Sequence, residues 1–483
     1  MKRKNMYIAL ASLIASAVLL LLCSQCSPLY PTNVWPDANC LLTVGRVMKE
    51  GGVVYRDIYE QKGPTLYLIH ALAACISDGS FLGVYVMEVL SFAAVLYLTC
   101  LMSLRRKQAT SSFCDALLIG AFVLTGSAFF CGDSAEEFCL PYLMGTLYLV
   151  FGHYDEHEEP MPAGAMFICG LMAGMVATIK FTILGFFVGL CVAEGVCALR
   201  RDGFVRALKS ALAFLAGMLL PIGAWCVYFA SHGALSDFYR AYVYNNIFLY
   251  SDETRTLMSF LRAIWNTLRG NLIWVLAAVL WLLGFASSKK EKLQLRACVL
   301  CMAAGTFAAV FLLGRTWTYS PLVLCVFAFS ALRSLGSGAP QFEGSASARR
   351  IGAVFFAVLT LILAWLSPNA HLRGEKMENL AQARLGAYVH EGATVLQYSH
   401  LDDGLYLATG TLPPQKYFVR LNVRYDEMIA ELDRYVEEAI PDYVLTSWEP
   451  LDARFDRYQL IAQDAGYDDA GRINKAFYLY RRK

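Results

Sequence analysis

The sequence predicts a polytopic α-helical membrane protein with about eleven transmembrane helices and a small α/β domain after the last of them. Of its 483 residues, 57% are hydrophobic and only 17% are charged, whereas soluble globular proteins carry about 25% charged residues. The hydrophobic residues form runs near the roughly 20 residues that a helix needs to cross a bilayer core. The net charge of +2 gives no support to a nucleic-acid partner.

The first apolar run, Met6–Cys23, follows three basic residues, Lys2, Arg3 and Lys4. It is longer than the apolar core of a signal peptide, which is about 7–15 residues, and no A-x-A cleavage site follows it. We therefore expect an uncleaved first helix with its basic end in the cytoplasm.

Ten further runs are expected to be transmembrane helices. They are Phe81–Ser103, Phe113–Phe130, Phe138–Gly152, Ala163–Thr178, Phe181–Leu199, Ala207–Ala230, Asn271–Ala286, Leu295–Gly314, Trp317–Leu335 and Ile351–Ser367. The loops at residues 105–107, 200–209, 289–296 and 349–350 are basic, so the positive-inside rule places them in the cytoplasm. This orientation predicts a multi-pass protein of the cell membrane with an inner N-terminus and an outer C-terminus.

The apolar stretch Thr65–Ile76 is too short to cross a bilayer core. It is more typical of an interfacial or re-entrant helix. With this assignment, the segments expected outside are the first outer loop (residues 28–80), the second outer loop (131–137), residues 231–270 and the tail after Pro368.

Charged residues become frequent after residue 368, and no apolar run of membrane length remains. We therefore predict a transmembrane catalytic domain at residues 1–368, which includes the outer loop 28–80, and an extracytoplasmic α/β domain at 369–483. The expected strands of the tail are Thr394–Ser399, Tyr417–Leu421, Tyr443–Ser447 and Ala476–Tyr480. The expected helices are Glu375–His390, Asp426–Glu438 and Arg454–Ala465.

One carboxylate, Asp37, opens an amphipathic stretch in the first outer loop. Apolar residues at Leu41, Val44, Val47 and Met48 have helical spacing, which predicts a helix along the membrane surface with Asp37 as its N-cap. Two interpretations stay open, a simple helix cap and a general base that acts on a substrate held nearby.

Two cations, Arg56 and Lys62, close the same loop. An arginine binds a phosphate with a bidentate fork and a lysine binds it as a point charge. Two alternatives remain: the cations extend to lipid headgroups, or they pair with Asp57 and Glu60.

The second outer loop places Asp133, Glu136 and Glu137 at the mouth of two expected spans. Carboxylates at such a boundary are costly unless they face water, a cation or a polar partner. The alternative is a helix N-terminus, where acidic residues are favourable. Lys180 and Arg315 are isolated cations at span ends, where each either binds a phosphate or anchors the helix.

The sequence contains no P-loop, no G-x-G-x-x-G, no H-E-x-x-H and no G-x-S-x-G pattern. It also shows no decisive set of metal ligands, so we assign no metal and keep a divalent cation only as a candidate cofactor.

The chain resembles the C-type (GT-C superfamily) membrane glycosyltransferases. The resemblance is to the bacterial branch similar to family 39 protein O-mannosyltransferases and to aminoarabinose lipid A transferases. It rests on PDANCLLTVGRVMKEGGVVYRDIYEQKGP in the first outer loop, on SAEEFCLP in the second, and on a multispan body followed by an outer domain.

The resemblance implies an inverting transfer of a hexosyl or pentosyl group from a polyprenyl-phosphate donor to an envelope glycan, lipid or protein outside the cytoplasm. It implies Asp37 as general base, with Glu136 or Glu137 as a further catalytic carboxylate and Asp133 as a candidate for orienting the acceptor or a metal. Lys62 and Arg56, and with less support Arg315, would bind the donor phosphate. Which carboxylate of the second loop acts stays open.

Two other classes of protein compete with an enzyme. A transporter or flippase of a lipid-linked glycan would show repeated halves with broken helices, and the sequence has no such internal symmetry. A membrane anchor for the tail would leave the acids and cations of the two outer loops without a role.

Overall fold

The computed structural model describes residues 2–104, 109–249, 256–312, 316–334, 346–423, 425–467 and 472–483. Most of these residues are helical. The α-helices are α1 (Lys2–Cys23), α2 (Pro36–Lys49), α3 (Pro64–Ile76), α4 (Leu82–Ser103), α5 (Ala109–Leu124), α6 (Ala135–Glu156), α7 (Ala163–Lys180), α8 (Gly185–Asp202), α9 (Phe204–Ser231), α10 (Leu235–Phe238), α11 (Leu257–Gly270), α12 (Leu272–Ser287), α13 (Leu293–Phe311), α14 (Cys325–Ser334), α15 (Ala346–Trp365), α16 (Ala381–Gly386), α17 (Leu405–Thr409) and α18 (Asp426–Glu437).

Shorter elements connect these helices. The 3₁₀ segments are Phe181–Leu184, Ser320–Leu324, Pro368–Leu372 and Met377–Asn379, and Tyr239–Leu249 is a π-helix. The strands are β1 (Val395–Gln397), β2 (Tyr443–Ser447), β3 (Tyr458–Tyr467) and β4 (Ile473–Arg482).

Each of the eleven expected spans falls on a described helix. Within the described residues, five helical segments are able to cross a membrane by length and composition, or six if the bent pair α11 and α12 counts as one span. One of the five is the run Ala163–Asp202, in which the extended backbone of Lys180 (φ −154°, ψ 95°) separates α7 from α8. The membrane character is therefore confirmed, while the count of eleven stays a prediction.

The chain forms two compact units. The helical unit consists of residues 1–23, 88–225 and 253–370, and the composite unit consists of residues 24–87, 226–252 and 371–483. The composite unit thus contains the first outer loop together with the tail. The sequence did not predict this grouping.

In the helical unit, α8 and α13 approach so closely that only small residues fit. A Cβ on Gly185 would lie 2.3 Å from the carbonyl oxygen of Gly305, and one on Gly189 would lie 2.1 Å from that of Cys301. Small residues at a crossing allow two backbones to pack together where lipid gives no hydrophobic driving force.

The tail contributes a four-stranded sheet with the order β1-β2-β4-β3 to the composite unit. β1 and β2 are parallel, and the other two pairs are antiparallel. The strand expected at 394–399 is present as the shorter β1, and those expected at 443–447 and 476–480 are present in β2 and β4. The helix expected at 426–438 is present as α18.

Three local expectations for the tail were wrong. Residues 454–465 do not form a helix, because most of this stretch is β3, which pairs with β4 along its length. Residues 417–421 form no strand, and the helix expected at 375–390 is reduced to α16 after a short 3₁₀ turn. Over a short stretch, the spacing of apolar residues in β3 fits both the helical period of about 3.6 residues and the strand period of about 2. Hydrogen bonding to the neighbouring strand therefore decides that this stretch is a strand.

α2 and α3 pack against each other within the composite unit. A Cβ on Gly45 would lie 2.5 Å from the backbone of His70, so glycine is required at this crossing. α3 has 13 residues and is therefore about 20 Å long, which is shorter than the roughly 30 Å bilayer core. This length agrees with the expectation that Thr65–Ile76 is not a span.

Candidate functional site

The first turn of α2 carries Asp37. Pro36 stands at the first helical position, where its missing N–H costs nothing, and Trp35 is the N-cap. Asp37 is therefore the second residue of the helix and not its cap, which corrects the sequence interpretation. At this position its negative charge is stabilised by the helix dipole.

Lys62 lies beside Asp37. Its Nζ is 3.7 Å from Oδ1 of Asp37 and 3.3 Å from Oε1 of Glu60. Burial alone would lower the pKa of Lys62, but the carboxylates of Asp37 and Glu60 outweigh it and raise the pKa above its ordinary value. Lys62 is therefore a cation at neutral pH. Both contacts are longer than the roughly 2.7–2.9 Å of a charge-assisted hydrogen bond, so the ammonium group is able to turn toward an incoming anion.

Glu60 is almost completely buried and fixes this arrangement. Its Oε2 accepts hydrogen bonds from the backbone N–H of Lys62, at 2.9 Å, and from the hydroxyl of Tyr67. The alternative in which Glu60 pairs with Lys62 is thus observed. It accompanies the contact between Lys62 and Asp37 and does not replace it.

Arg56 is engaged elsewhere on the surface of the composite unit. Its Nε and Nη2 donate to the two oxygens of Asp57 at 2.7 and 2.8 Å, and its Nη1 donates to the carbonyl oxygen of His232 at 2.7 Å. The structure does not bring Arg56 into the ion cluster of Asp37, Glu60 and Lys62.

Residues of the tail form hydrogen bonds with α2. The hydroxyl of Thr43 donates to Oδ2 of Asp402 at 2.7 Å. The guanidinium of Arg46 donates to the carbonyl oxygens of Tyr406, Gly410 and Thr411 at 3.1–3.3 Å. These contacts fix the orientation of the helix that carries Asp37.

Asp402 is completely buried in this contact. Burial raises its pKa to about 6, although hydrogen bonds from Thr43, Gly404 and Gln397 oppose the shift. A carboxyl group with this pKa changes its charge within the mildly acidic range.

The neighbouring residues His400, Asp403 and Lys475 also belong to this region. Lys475 and Asp403 form a buried ion pair. Burial lowers the pKa of His400, the charge of Lys475 lowers it further, and the carboxylates of Asp403 and Asp37 oppose the shift. Sequence reasoning missed these residues. The only local indication was the acidic, glycine-containing segment HLDDG at residues 400–404, between the strands expected at 394–399 and 417–421.

The second outer loop belongs to the helical unit. The backbone N–H of Asp133 donates to Oε1 of Glu88 at 2.9 Å and to Oε2 of Glu137 at 3.2 Å. Ser134 caps α6 by accepting from the N–H of Glu137 at 3.2 Å, so the favourable helix N-terminus proposed for these acids is present.

Glu136 in the same loop pairs with Lys180, with 2.6 Å between Oε1 and Nζ. The ammonium group of Lys180 also lies 5.2 Å from the ring centre of Tyr319. Lys180 therefore neutralises a buried carboxylate, an ion pair that the sequence did not indicate. Arg315 lies outside the described residues.

No group of three or more His, Cys, Asp or Glu side chains is arranged to hold a metal ion in the part of the chain that the structure describes. A divalent cation therefore stays a candidate from the resemblance only.

Sequence comparison identifies one family. The family described as "Putative competence-induced protein Ccs4 N-terminal domain" matches residues 2–352. No curated protein matches the chain.

Structure comparison gives relatives of known fold. The chain is similar to ArnT from Cupriavidus metallidurans bound to undecaprenyl phosphate, with a TM-score of 0.62, 13% identity, and coverage of 98% of this chain and 97% of that chain. It is also similar to the archaeal oligosaccharyltransferase AglB from Archaeoglobus fulgidus, in complex with an inhibitory peptide and a dolichol-phosphate, with a TM-score of 0.50, 11% identity, and coverage of 92% and 69%. At 13% and 11% identity, these similarities show that the chain shares its fold with ArnT and AglB.

Proposed function

The chain belongs to the competence-induced Ccs4 N-terminal domain family, and from this premise we propose that it is a membrane glycosyltransferase. Its donor is a sugar linked to polyprenyl phosphate, and its acceptor is an envelope molecule on the extracytoplasmic side. The branch similar to family 39 and to the aminoarabinose transferases is part of this proposal.

The observation that carries the proposal is the ion cluster of Asp37, Glu60 and Lys62. It places a carboxylate that is able to accept a proton 3.7 Å from a cation that is able to bind a phosphate. Support comes from the fold, since the similar structure of ArnT holds undecaprenyl phosphate. A capping role alone does not account for Asp37, because Trp35 is the N-cap of α2.

The proposed reaction is a single displacement with inversion. The acceptor oxygen attacks the anomeric carbon of the donor from the side opposite the phosphate, and its proton passes to the carboxylate of Asp37. The bond between the anomeric carbon and the phosphate oxygen breaks, and its electron pair leaves with the polyprenyl phosphate. Lys62 stabilises the negative charge that develops on this leaving group.

Glu136 and Glu137 stay candidate catalytic residues on the sequence resemblance, and Asp133 stays a candidate for orienting the acceptor or a metal. The pairing with Lys180 already gives Glu136 a structural role. Each glutamate has one carboxylate oxygen without a hydrogen-bond partner among the described residues, Oε2 of Glu136 and Oε1 of Glu137.

The test is transfer of radiolabelled sugar from membrane-extracted polyprenyl-phosphate donors to an envelope fraction, catalysed by the purified full chain in lipid nanodiscs. Asp37→Asn keeps the shape of the side chain and removes the base, so the rate is expected to fall by about 10²–10⁴. The matched control is Asp57→Asn in the same loop, whose carboxylate faces Arg56, and its rate is expected to stay within about twofold of wild type.

Two results would contradict the proposal. Full turnover by Asp37→Asn would exclude Asp37 as the base. Movement of the intact donor across a liposome membrane, unaffected by Asp37→Asn and without cleavage of the sugar–phosphate bond, would instead identify a transporter of the lipid-linked glycan.

A further inference from the structure

Trp448 is held at the surface of the composite unit in an unfavourable backbone conformation. It follows β2 directly, its φ is 70°, and 47% of it is exposed. A large residue in the left-handed region is uncommon and unfavourable, so the surrounding structure has to offset the strain. A hydrogen bond from its N–H to the carbonyl oxygen of Ala476, at 2.8 Å, fixes this conformation. Such strain is concentrated at functional sites.

A buried ion pair lies near the indole ring. The ammonium group of Lys475 is 5.7 Å from the ring centre and forms the buried ion pair with Asp403. A cation near an aromatic face is attracted by the ring, so Lys475 positions Trp448 as well as neutralising Asp403. The exposed part of the ring remains accessible.

The chain just before His400 is hydrogen-bonded to the chain just before Trp448. The hydroxyl of Ser399 accepts from the backbone N–H of Ser447 at 2.8 Å and donates to its carbonyl oxygen at 3.3 Å. The residues that follow these two serines are His400 and Trp448, so both side chains start from one junction of the chain.

The imidazole of His400 is suited to bind a hydroxyl group. The His400 side chain is partly exposed, and its Nδ1 has no hydrogen-bond partner among the described residues, so the ring gains free energy from a ligand that supplies one. Because burial and Lys475 lower its pKa, the ring is neutral at pH 7 and offers one donor and one acceptor. The carboxylate of Asp37 acts on the same imidazole, which places His400 within electrostatic reach of the proposed base.

We propose that Trp448 and His400 form the acceptor site, and that the acceptor is a saccharide. One apolar face of a pyranose ring packs on the exposed part of Trp448, and a hydroxyl group bonds to the imidazole of His400. The chain of the saccharide then leads toward Asp37, which takes the proton of the reacting hydroxyl group. This inference rests on the proposed function and specifies its acceptor.

The chemistry of the surroundings favours a saccharide over the other envelope acceptors. A lipid would need a continuous apolar surface, whereas the ring of Trp448 lies 5.7 Å from the ammonium group of Lys475, which pairs with Asp403. The polar His400 starts from the same backbone junction. A single aromatic ring beside groups that bind hydroxyls fits an amphipathic sugar ring.

The experiment uses the full chain in nanodiscs and the envelope fraction as acceptor, after separate treatment with periodate, with proteinase K or by extraction of lipids. Only periodate, which cleaves vicinal diols, is expected to abolish transfer. Trp448→Ala is expected to raise the acceptor concentration at half-maximal rate at least tenfold with an unchanged half-saturating donor concentration, and Trp448→Phe to raise it less. Trp265→Ala is the control, since Trp265 is also exposed but belongs to the helical unit, and it is expected to match wild type.

The outcomes separate the two proposals. Absence of Asp37-dependent transfer by the wild type would overturn the proposed function and this inference with it. Transfer that survives periodate but not protease or lipid extraction, or that is insensitive to Trp448→Ala, would overturn the saccharide site alone.

Discussion

Asp402 is expected to make the composite unit less stable as the pH rises from about 4 to about 6. Its pKa is about 6 in the folded chain, against an ordinary value of 3.8. In this range the folded state keeps the proton and the unfolded state has lost it, so unfolding becomes easier as the pH increases. Above pH 6, Asp402 is charged in both states, and the loss of folding stability caused by burying this charge reaches its full size. A shift of about two pKa units corresponds to about 3 kcal/mol.

Asp402→Asn removes the charge and keeps most of the hydrogen bonds. Oδ1 of the wild-type residue accepts from the N–H of Gly404, at 2.8 Å, and from the side chain of Gln397, and the asparagine oxygen is able to do the same. The new amide then donates to Thr43, whose hydroxyl is free to rotate. We expect the variant to match wild type near pH 4 and to be more stable at pH 7.5 by up to about 3 kcal/mol.

The assay is thermal unfolding of the full chain in detergent micelles between pH 4 and pH 7.5. A domain of about 150–250 residues gains roughly 2–4 °C per kcal/mol, so we expect Asp402→Asn to unfold up to about 6–12 °C higher than wild type at pH 7.5. Asp442→Asn is the control with the opposite sign, because bonds from Thr394 and the charge of Arg482 lower the pKa of Asp442. Wild-type Asp442 contributes stability above its unfolded pKa that is lost as the pH falls through its folded pKa.

One pattern of results would refute this reasoning about Asp402. It is a loss of stability in Asp402→Asn at pH 7.5, or a difference from wild type that does not change with pH. Either result would mean that the hydrogen bonds to the carboxylate outweigh the cost of burying its charge.

Two further predictions concern the cations Lys62 and Lys475. Lys62→Met is expected to raise the half-saturating donor concentration at least tenfold, and Lys62→Arg to raise it less. Arg56→Met is expected to change it by less than about twofold, and equal effects of the lysine and arginine losses would contradict the assignment of the phosphate to Lys62. Lys475→Met is expected to destabilise the chain by about 3–5 kcal/mol because it leaves Asp403 buried without a partner, and the double variant with Asp403→Asn is expected to recover most of this loss in thermal unfolding.

The positions of the long helices were predictable because the length of an apolar run is itself the physical requirement for crossing a bilayer. The proximity of Lys62 to Asp37 was also predictable, since both residues stand in the first outer loop. The helix start at Pro36 shows the limit of local reasoning. Asp37 has a favoured capping side chain, yet the fixed φ of Pro36 moves the cap to Trp35.

The tail was less predictable, because its role in the site depends on contacts distant in sequence. The bond from Thr43 to Asp402 joins residues 359 positions apart, and no periodicity or motif in either segment indicates the other. β3 shows the same limitation on a smaller scale, since the pairing with β4 is what decides between strand and helix.

The composite unit combines segments that lie far apart in the sequence. Its contacts therefore form in a fixed order during synthesis. At about 5–20 residues per second, Asp402 is translated roughly 20–70 s after Thr43, because 359 positions separate them. During that interval α2 has none of the bonds that Thr43 and Arg46 make with the tail. The helix that carries Asp37 therefore gains its final contacts late, and a ribosome that stalls before residue 402 leaves a chain in which the tail does not yet position Asp37.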